Sequence, residues 1–326
     1  MSEKGSSEKI APEKGSPAKN APPSGPQDAV AWLHWMAKSA SEAAFAGTYV
    51  HQYDSRLETL RVVHVTDHQG EHEKLEALDG AQREIIRTNE EITCYIPDSK
   101  VVKLELKRTR KFFPALIGNV ADITDNYTAK LGVVERVAGF DCQVVVLEPK
   151  DKFRFGHRFC GELASGLMLR ATMVSDQNEV LEQFAFTQLA LGSQVKREQV
   201  KSAYSDMGST WKTDNSALQN ARPIDSGWYA ESLPPGFRKI LEVKRKMAGK
   251  TEPVIQQIYS DGLASVSVFI EGADANGKPP AELIQQGNYK LYVRPLPEQP
   301  FSIKVLGEVP GASLRQIGNS LVSPPR

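Results

Sequence analysis

The chain has 326 residues, room for two domains rather than one continuous core. Forty Lys and Arg balance forty Asp and Glu, which excludes a strongly basic nucleic-acid binder and gives no reason to expect nucleic acid as a partner. No apolar run approaches the roughly 20 residues of a membrane-spanning helix, and the opening residues lack the charged-then-apolar order of a secretory signal.

Residues 1–27 are Lys, Glu, Ser, Gly, Pro and Ala with almost no large aliphatic side chain. Such a stretch buries too little to offset its ordering entropy, so a disordered tail is expected. Asp28 reads as an N-cap, and Val30, Leu33, Ala37, Ala40 and Ala44 recur at helical spacing. Trp32 and Trp35 widen the apolar surface of that helix.

From residue 45 the pattern changes to short alternating runs between turn residues. Strands are expected over 45–53, 57–66, 71–79, 84–88, 92–96, 101–107, 143–148, 153–159, 167–174 and 181–189. The stretch 112–128 breaks the rhythm and reads as a loop with a helical turn. So many consecutive antiparallel strands must curl or close to protect their faces and edges. A polar stretch over 201–226 reads as a linker. A second unit then shows strands over 237–246, 254–260, 264–271, 288–295 and 301–307. It ends in a helix placing Leu314, Ile317 and Leu321 on one side, with Ser313 as its N-cap. The fold class is therefore mainly β with helices.

His64, His68 and His72 lie four apart, which on a helix would point three imidazoles at a metal. The flanking residues instead form two strands. Pairing Thr66 with Glu71, Val65 with His72, His64 with Glu73, Val62 with Leu75 and Arg61 with Glu76 joins opposite charges and apolar partners. That register sends His64 and His72 to opposite faces, so a metal site is not expected. "HEKLE" lacks the second histidine of a metalloprotease helix. No GxSxG elbow, phosphate-binding glycine loop or positioned nucleophile–base pair occurs, so neither catalysis nor a cofactor is expected.

Among three cysteines, Cys94 alternates with Ile92 and Ile96 and reads as core. Cys142 and Cys160 flank the hairpin built on "PKDK". A four-residue turn sets Cys142 opposite Phe159, one position out of register, and a bulge at Gly156 would join the sulfurs; a disulfide and two buried thiols both remain open. "KLELKRTRKFF" places Lys103, Lys107, Arg108, Arg110 and Lys111 beside two phenylalanines. This suits anionic amphiphiles, and equally a solvated strand end. The "KRK" at 244–246 reads as surface charge.

Several stretches together resemble the RseB/MucB family. These are "FAGTYVHQY", "LEALDGAQREI", "CYIPDSK", "LEPKDKFRFGHR", "GLMLR" and "LEQFAFTQL" in the first unit, then "LPPGFRKI", "SDGLASVSVFIE" and "GEVPGASLRQIGNSL" in the second. The resemblance runs from about Ala31 to Leu321. It implies a half-open antiparallel barrel similar to the lipoprotein carriers LolA and LolB over 28–200, and a smaller antiparallel domain with a closing helix over 227–322. It implies a periplasmic protein, here without its signal peptide, that grips the periplasmic segment of a membrane-spanning anti-sigma factor (RseA or MucA). That grip would shield the segment from proteolysis and be released by lipopolysaccharide or mislocalised lipoprotein. A lipid or lipoprotein carrier is the alternative reading.

On this reading Lys107, Arg108, Arg110 and Lys111 are candidates for an anionic ligand. Phe237, Arg238, Asp261 and Leu263 are candidates for the peptide partner, and a second copy of the chain is a further candidate partner. Cys160 and Gly161 depart from the larger apolar residues the family carries there.

Overall fold

The computed structural model describes residues 25–106, 112–207, 210–216, 222–247, 250, 252–272, 282–286, 289–296 and 301–323. Residues 1–24 of the expected tail and the basic residues at 107–111 lie outside the described residues.

Helix α1 (Ala29–Glu42) begins where Asp28 accepts a hydrogen bond from the Ala31 amide at 2.8 Å. Its buried side is Ala29, Trp32, Leu33, Met36, Ser39 and Ala40. Leu33, Ala40 and the two tryptophans pack inward as expected, whereas Val30, expected on the same face, stays exposed.

Among the described residues, twelve strands form one sheet. In chain order they are β1 (Phe45–Tyr53), β2 (Arg56–Asp67), β3 (Gly70–Ala77), β4 (Glu84–Thr88), β5 (Glu91–Ile96), β6 (Val101–Leu106), β7 (Tyr127–Val137), β8 (Phe140–Pro149), β9 (Gly156–Glu162), β10 (Met168–Val174), β11 (Val180–Leu191) and β12 (Lys212–Asp214). Their order across the sheet is β12-β6-β5-β4-β3-β2-β1-β11-β10-β9-β8-β7, so β1 closes onto β11 and the two ends stay unpaired with each other. Only β12 runs parallel to its neighbour, β6. Helices α1 and α2 (Val120–Asn126) pack against one another and against the sheet.

The pleat puts Tyr49, Leu60, Val62, Leu75 and Ile85 on one face, and all five belong to or pack on the main core, with Phe159, Leu167 and Phe186. On the opposite face, Val63 and Val65 meet Val195 and Val200 from the segment after β11. The sheet is therefore covered on both sides there. Gly161 seats α1, since a Cβ would come 2.7 Å from Met36 Cε. Gly166, at φ +74°, does the same beneath the Trp35 ring.

Five of the described strands escape the sequence reading. β7 has a mostly exposed pattern and a register break between Leu131 and Val134, so no apolar alternation marks it. β12 lies within the expected linker. That linker is also pinned at both ends: Lys74 Nζ donates to Lys201 O at 3.2 Å, and Ile224 N donates to Glu242 O at 3.0 Å.

Among the described residues, the main sheet of the second domain has six antiparallel strands: β14 (Arg238–Arg245), β15 (Val254–Ser260), β16 (Ser265–Gly272), β17 (Glu282–Gln286), β18 (Tyr289–Pro295) and β19 (Phe301–Gly307). Their order is β14-β15-β16-β19-β18-β17; β17 is the third strand missed. A two-residue pair joins β13 (Tyr229–Ala230) to β20 (Leu321–Val322), the other two strands missed; Leu321, expected on the closing helix, lies just past its end. Helix α3 (Gly311–Ser320) covers the sheet with Leu314 and Ile317 fully buried. Its N-cap is Pro310, not Ser313; the Ser313 hydroxyl instead donates to the Phe153 carbonyl of the first domain at 2.5 Å.

Candidate functional site

The histidine question resolves in the β2–β3 hairpin. The register is Thr66–Glu71, Val65–His72, His64–Glu73, Val62–Leu75 and Arg61–Glu76, and Asp67 also pairs with Gly70, which leaves a tighter turn than expected. His64 is fully buried on the core face, where Nδ1–H donates to Ala43 O at 2.8 Å and Nε2 meets Glu71 at 3.1 Å. His72 lies on the other face, 3.4 Å from Asp67. The rings of His64 and His72 diverge.

The β8–β9 hairpin departs from expectation by three positions. Val145, not Cys142, stands opposite Phe159, and the ladder ends at Leu147–His157. The cause is at 151–155. Asp151 accepts from the Phe153 amide at 2.9 Å and from Arg154 Nε and Nη2 at 3.1 and 3.0 Å. This holds residues 153–155 out of the ladder, so β9 starts at Gly156 instead of 153. In the resulting register Cys142 faces Glu162 and Cys160 faces Val144. The two cysteines are diagonal neighbours and form a disulfide with Cα atoms 5.4 Å apart. Cys94 stands outside the disulfide and is partly exposed rather than a core residue.

Arg154 is the centre of the contact between the domains. Its side chain is fully buried and reaches Asp261 Oδ2 at 2.5 Å through Nη1. Nη2 donates to Pro235 O at 2.5 Å, and the guanidinium lies 5.5 Å from the ring centroids of both Tyr127 and Phe237. Asp261 is itself fully buried; its other oxygen accepts the Leu263 and Ala264 amides at 3.0 and 2.8 Å. Burial first, then the Asp261 charge, pushes the Tyr127 hydroxyl well above the ordinary phenol range. A second ion pair joins Arg238 Nη2 to Asp122 of α2 at 2.5 Å. Three stretches that carry the family resemblance, "LEPKDKFRFGHR", "LPPGFRKI" and "SDGLASVSVFIE", therefore converge on one guanidinium.

Beside this contact is a cavity of about 970 Å³ walled by both domains, at the upper end of the size range of small-molecule pockets. Its floor is the curved sheet, with Tyr49, Leu60, Leu75, Phe159 and Phe184. Phe112 and Leu116 form one wall, and Ile240, Leu263, Tyr289 and Glu308 of the second domain form another. Phe113, expected beside a solvated basic cluster, is buried; it stacks on Phe184 at 5.5 Å, and Phe184 stacks on His51 at 4.0 Å. The rim is charged, with Arg56, Glu58, Arg83 and Glu182. His51 Nε2 meets Glu182 at 2.7 Å. His157 also lines the cavity, and burial lowers its pKa to about 4, so it is neutral at pH 7.

Of the four candidates for the peptide partner, Phe237 and Asp261 serve the domain contact and are buried there. Arg238 and Leu263 face the cavity. Sequence reasoning missed Arg154 and Glu308; the unexplained arginine within "PKDKFRF" was the available signal for the first. Among the described residues, no three His, Cys, Asp or Glu side chains gather as a metal site. The arrangement can hold an elongated apolar molecule with a polar end at the rim, and its volume depends on how the two domains meet.

Residues 28–204 match the family model for the MucB/RseB N-terminal domain, and residues 222–322 match that for the MucB/RseB C-terminal domain. The chain is 29% identical over 247 residues to the sigma factor AlgU regulatory protein MucB of Pseudomonas aeruginosa, covering 75% of this chain and 74% of that protein. It is 24% identical over 294 residues to the sigma-E factor regulatory protein RseB of Haemophilus influenzae, covering 87% and 88%. A chain of the Pseudomonas aeruginosa MucA/MucB complex superposes with a TM-score of 0.74 at 24% identity, covering 91% of this chain and 99% of that one. A crystal structure of MucB gives 0.62 at 24% identity, covering 90% and 98%.

Proposed function

The chain belongs to the MucB/RseB family, and from that premise we propose that it is a non-enzymatic regulator that holds the periplasmic segment of a membrane-bound anti-sigma factor. In this reading it works in the periplasm and keeps the segment from regulated proteolysis. It lets go when lipopolysaccharide or a mislocalised lipoprotein inserts an acyl chain between its domains.

The observation that carries this reading is the cavity walled jointly by both domains. A ligand that fits there only when the domains part has different affinities for the parted and closed arrangements. A peptide held across the closed arrangement is then released by linkage, with no chemistry required. Arg238 and Leu263, on the second domain's side of the cavity, are the residues proposed to meet the peptide. Lys107, Arg108, Arg110 and Lys111 immediately precede Phe112, which walls the cavity, and are proposed to receive anionic headgroups.

The test is binding of an anti-sigma periplasmic segment by the full chain and by a chain ending at Ala221. The full chain should bind, and loss of the second domain should abolish retention. Undiminished binding by the shortened chain would reject a grip that needs both domains. A carrier reading shares the cavity but predicts transfer of lipid to an acceptor membrane, which a sensor does not perform.

A further inference from the structure

The rim of the cavity holds an arrangement that lipid binding does not require. Glu308 follows β19 and lines the cavity, as do Glu182 of β11 and the β1–β2 hairpin residues His51, Tyr53, Arg56 and Glu58. Glu308 is largely withdrawn from water, and the carboxylates acting on it are Glu182 and Asp54. The cations on neighbouring elements are directed elsewhere. His51 meets Glu182, Arg56 lies 6.0 Å over the Tyr53 ring, Arg238 pairs with Asp122, and Lys290 of β18 sits 5.1 Å over the Phe155 ring. Arg83 is exposed on the first domain's part of the rim, and His157, on the cavity floor, is neutral above about pH 4. Burial first, then Glu182 and Asp54, pushes the Glu308 carboxyl up to about 7 from its ordinary 4.5.

We infer that this rim is a proton-dependent clasp: closing the second domain over the cavity takes up a proton at Glu308, and losing that proton lets the rim part while Arg154 remains as the hinge. The inference rests on the reading of the cavity as a container that opens between the domains. The sign follows from linkage. With the rim apart, Glu308 is solvated and returns toward the ordinary carboxylate value; with it closed, Glu308 holds its proton up to about pH 7. Below both values, closure is unopposed. Between them, each pH unit costs the closing equilibrium up to about tenfold, and above about pH 7 the penalty is constant. Because part of the Glu308 shift comes from the Glu182 and Asp54 charges, whose surroundings change as the rim parts, the expected fall in the closing constant from pH 5 to pH 7 is at least about tenfold rather than the full product.

The experiment uses the full chain with its disulfide intact, carrying Cys94→Ser and fluorophores on Leu57→Cys and Ile284→Cys, one exposed site in each domain. Energy transfer between them is followed from pH 5 to pH 8.5, together with uptake of N-phenyl-1-naphthylamine, an uncharged apolar probe. The closed population should fall between pH 5 and 7 and level off above, with faster probe uptake. Glu308→Gln should stay closed and slow throughout, and Glu182→Gln should shift the fall to lower pH. A pH-independent separation in the parent chain, or a Glu308→Gln profile matching the parent's, would overturn the clasp. Probe bound with unchanging separation rejects the clasp and spares the container; a pH-dependent separation with no probe bound at any pH does the reverse.

Discussion

Replacing Arg154 by alanine isolates what holds the two domains together. The substitution removes a fully buried cation and leaves Asp261 Oδ2 facing a site from which water is excluded. Breaking a buried pair from one side costs about 3–5 kcal/mol. Asp261 keeps the Leu263 and Ala264 amides on its other oxygen, which places this case near the lower end, at about 3 kcal/mol. The Pro235 carbonyl also loses its donor, and Tyr127 and Phe237 lose the cation between their rings. Asp151→Asn provides a graded control. It weakens the two bonds that aim Arg154 without removing the charge, and should cost about 1 kcal/mol. Urea unfolding followed by tryptophan fluorescence and circular dichroism is the assay. Because each domain has its own core, Arg154→Ala should split one transition into two. The lower midpoint should accompany exposure of the interface, while Asp151→Asn lowers the midpoint of a single transition. An Arg154→Ala chain that unfolds in one step within about 0.5 kcal/mol of the parent, the range of an ordinary surface change, would refute the argument that this guanidinium locks the domains.

His157 makes the fold acid-sensitive. Its native pKa near 4 lies below its ordinary 6.5 because of burial, so stability is fully present above pH 6.5 and declines as pH falls toward 4, by about 3 kcal/mol in all; His157→Phe should flatten that part of the stability curve, and an unchanged curve would contradict it. Charge reversal of Lys107, Arg108, Arg110 and Lys111 to Glu should weaken lipopolysaccharide-induced release of a bound anti-sigma segment, more at low salt than at high; an identical release curve would make them plain surface charge. The Cys142–Cys160 disulfide closes a loop with a sequence separation of 18, so Cys142→Ser with Cys160→Ser should cost about 3 kcal/mol of stability by loop entropy. A midpoint unaffected by that pair of changes would show that the packed hairpin holds itself.

What the sequence could show depended on how local the cause was. The β2–β3 register was legible because Arg61–Glu76 and Val62–Leu75 are complementary across one short hairpin. The β8–β9 register was not, because Asp151 holds residues 153–155 out of the ladder together with Arg154, and Arg154 is anchored by Asp261, more than a hundred positions away. Local turn rules carry no term for that. Strand β7 was invisible for the opposite reason: an exposed edge with a bulge obeys no burial alternation. The container was legible as a curled sheet, but its second wall was not, since Ile240, Leu263, Tyr289 and Glu308 reach it only through the docking of the second domain. Phe237 and Asp261 stood out as candidates for a partner; the partner they meet in this structure is the first domain of their own chain.

The central claim is that occupancy of the interdomain cavity and the grip on the anti-sigma segment oppose one another. Titrating the full chain with that segment, with and without a saturating lipid A analogue, tests it directly. The account predicts that lipid weakens the affinity at least about tenfold, a coupling of about 1.4 kcal/mol, and that the segment weakens lipid binding by the same factor. Equal affinity with and without lipid, while the analogue demonstrably occupies the cavity, would contradict it.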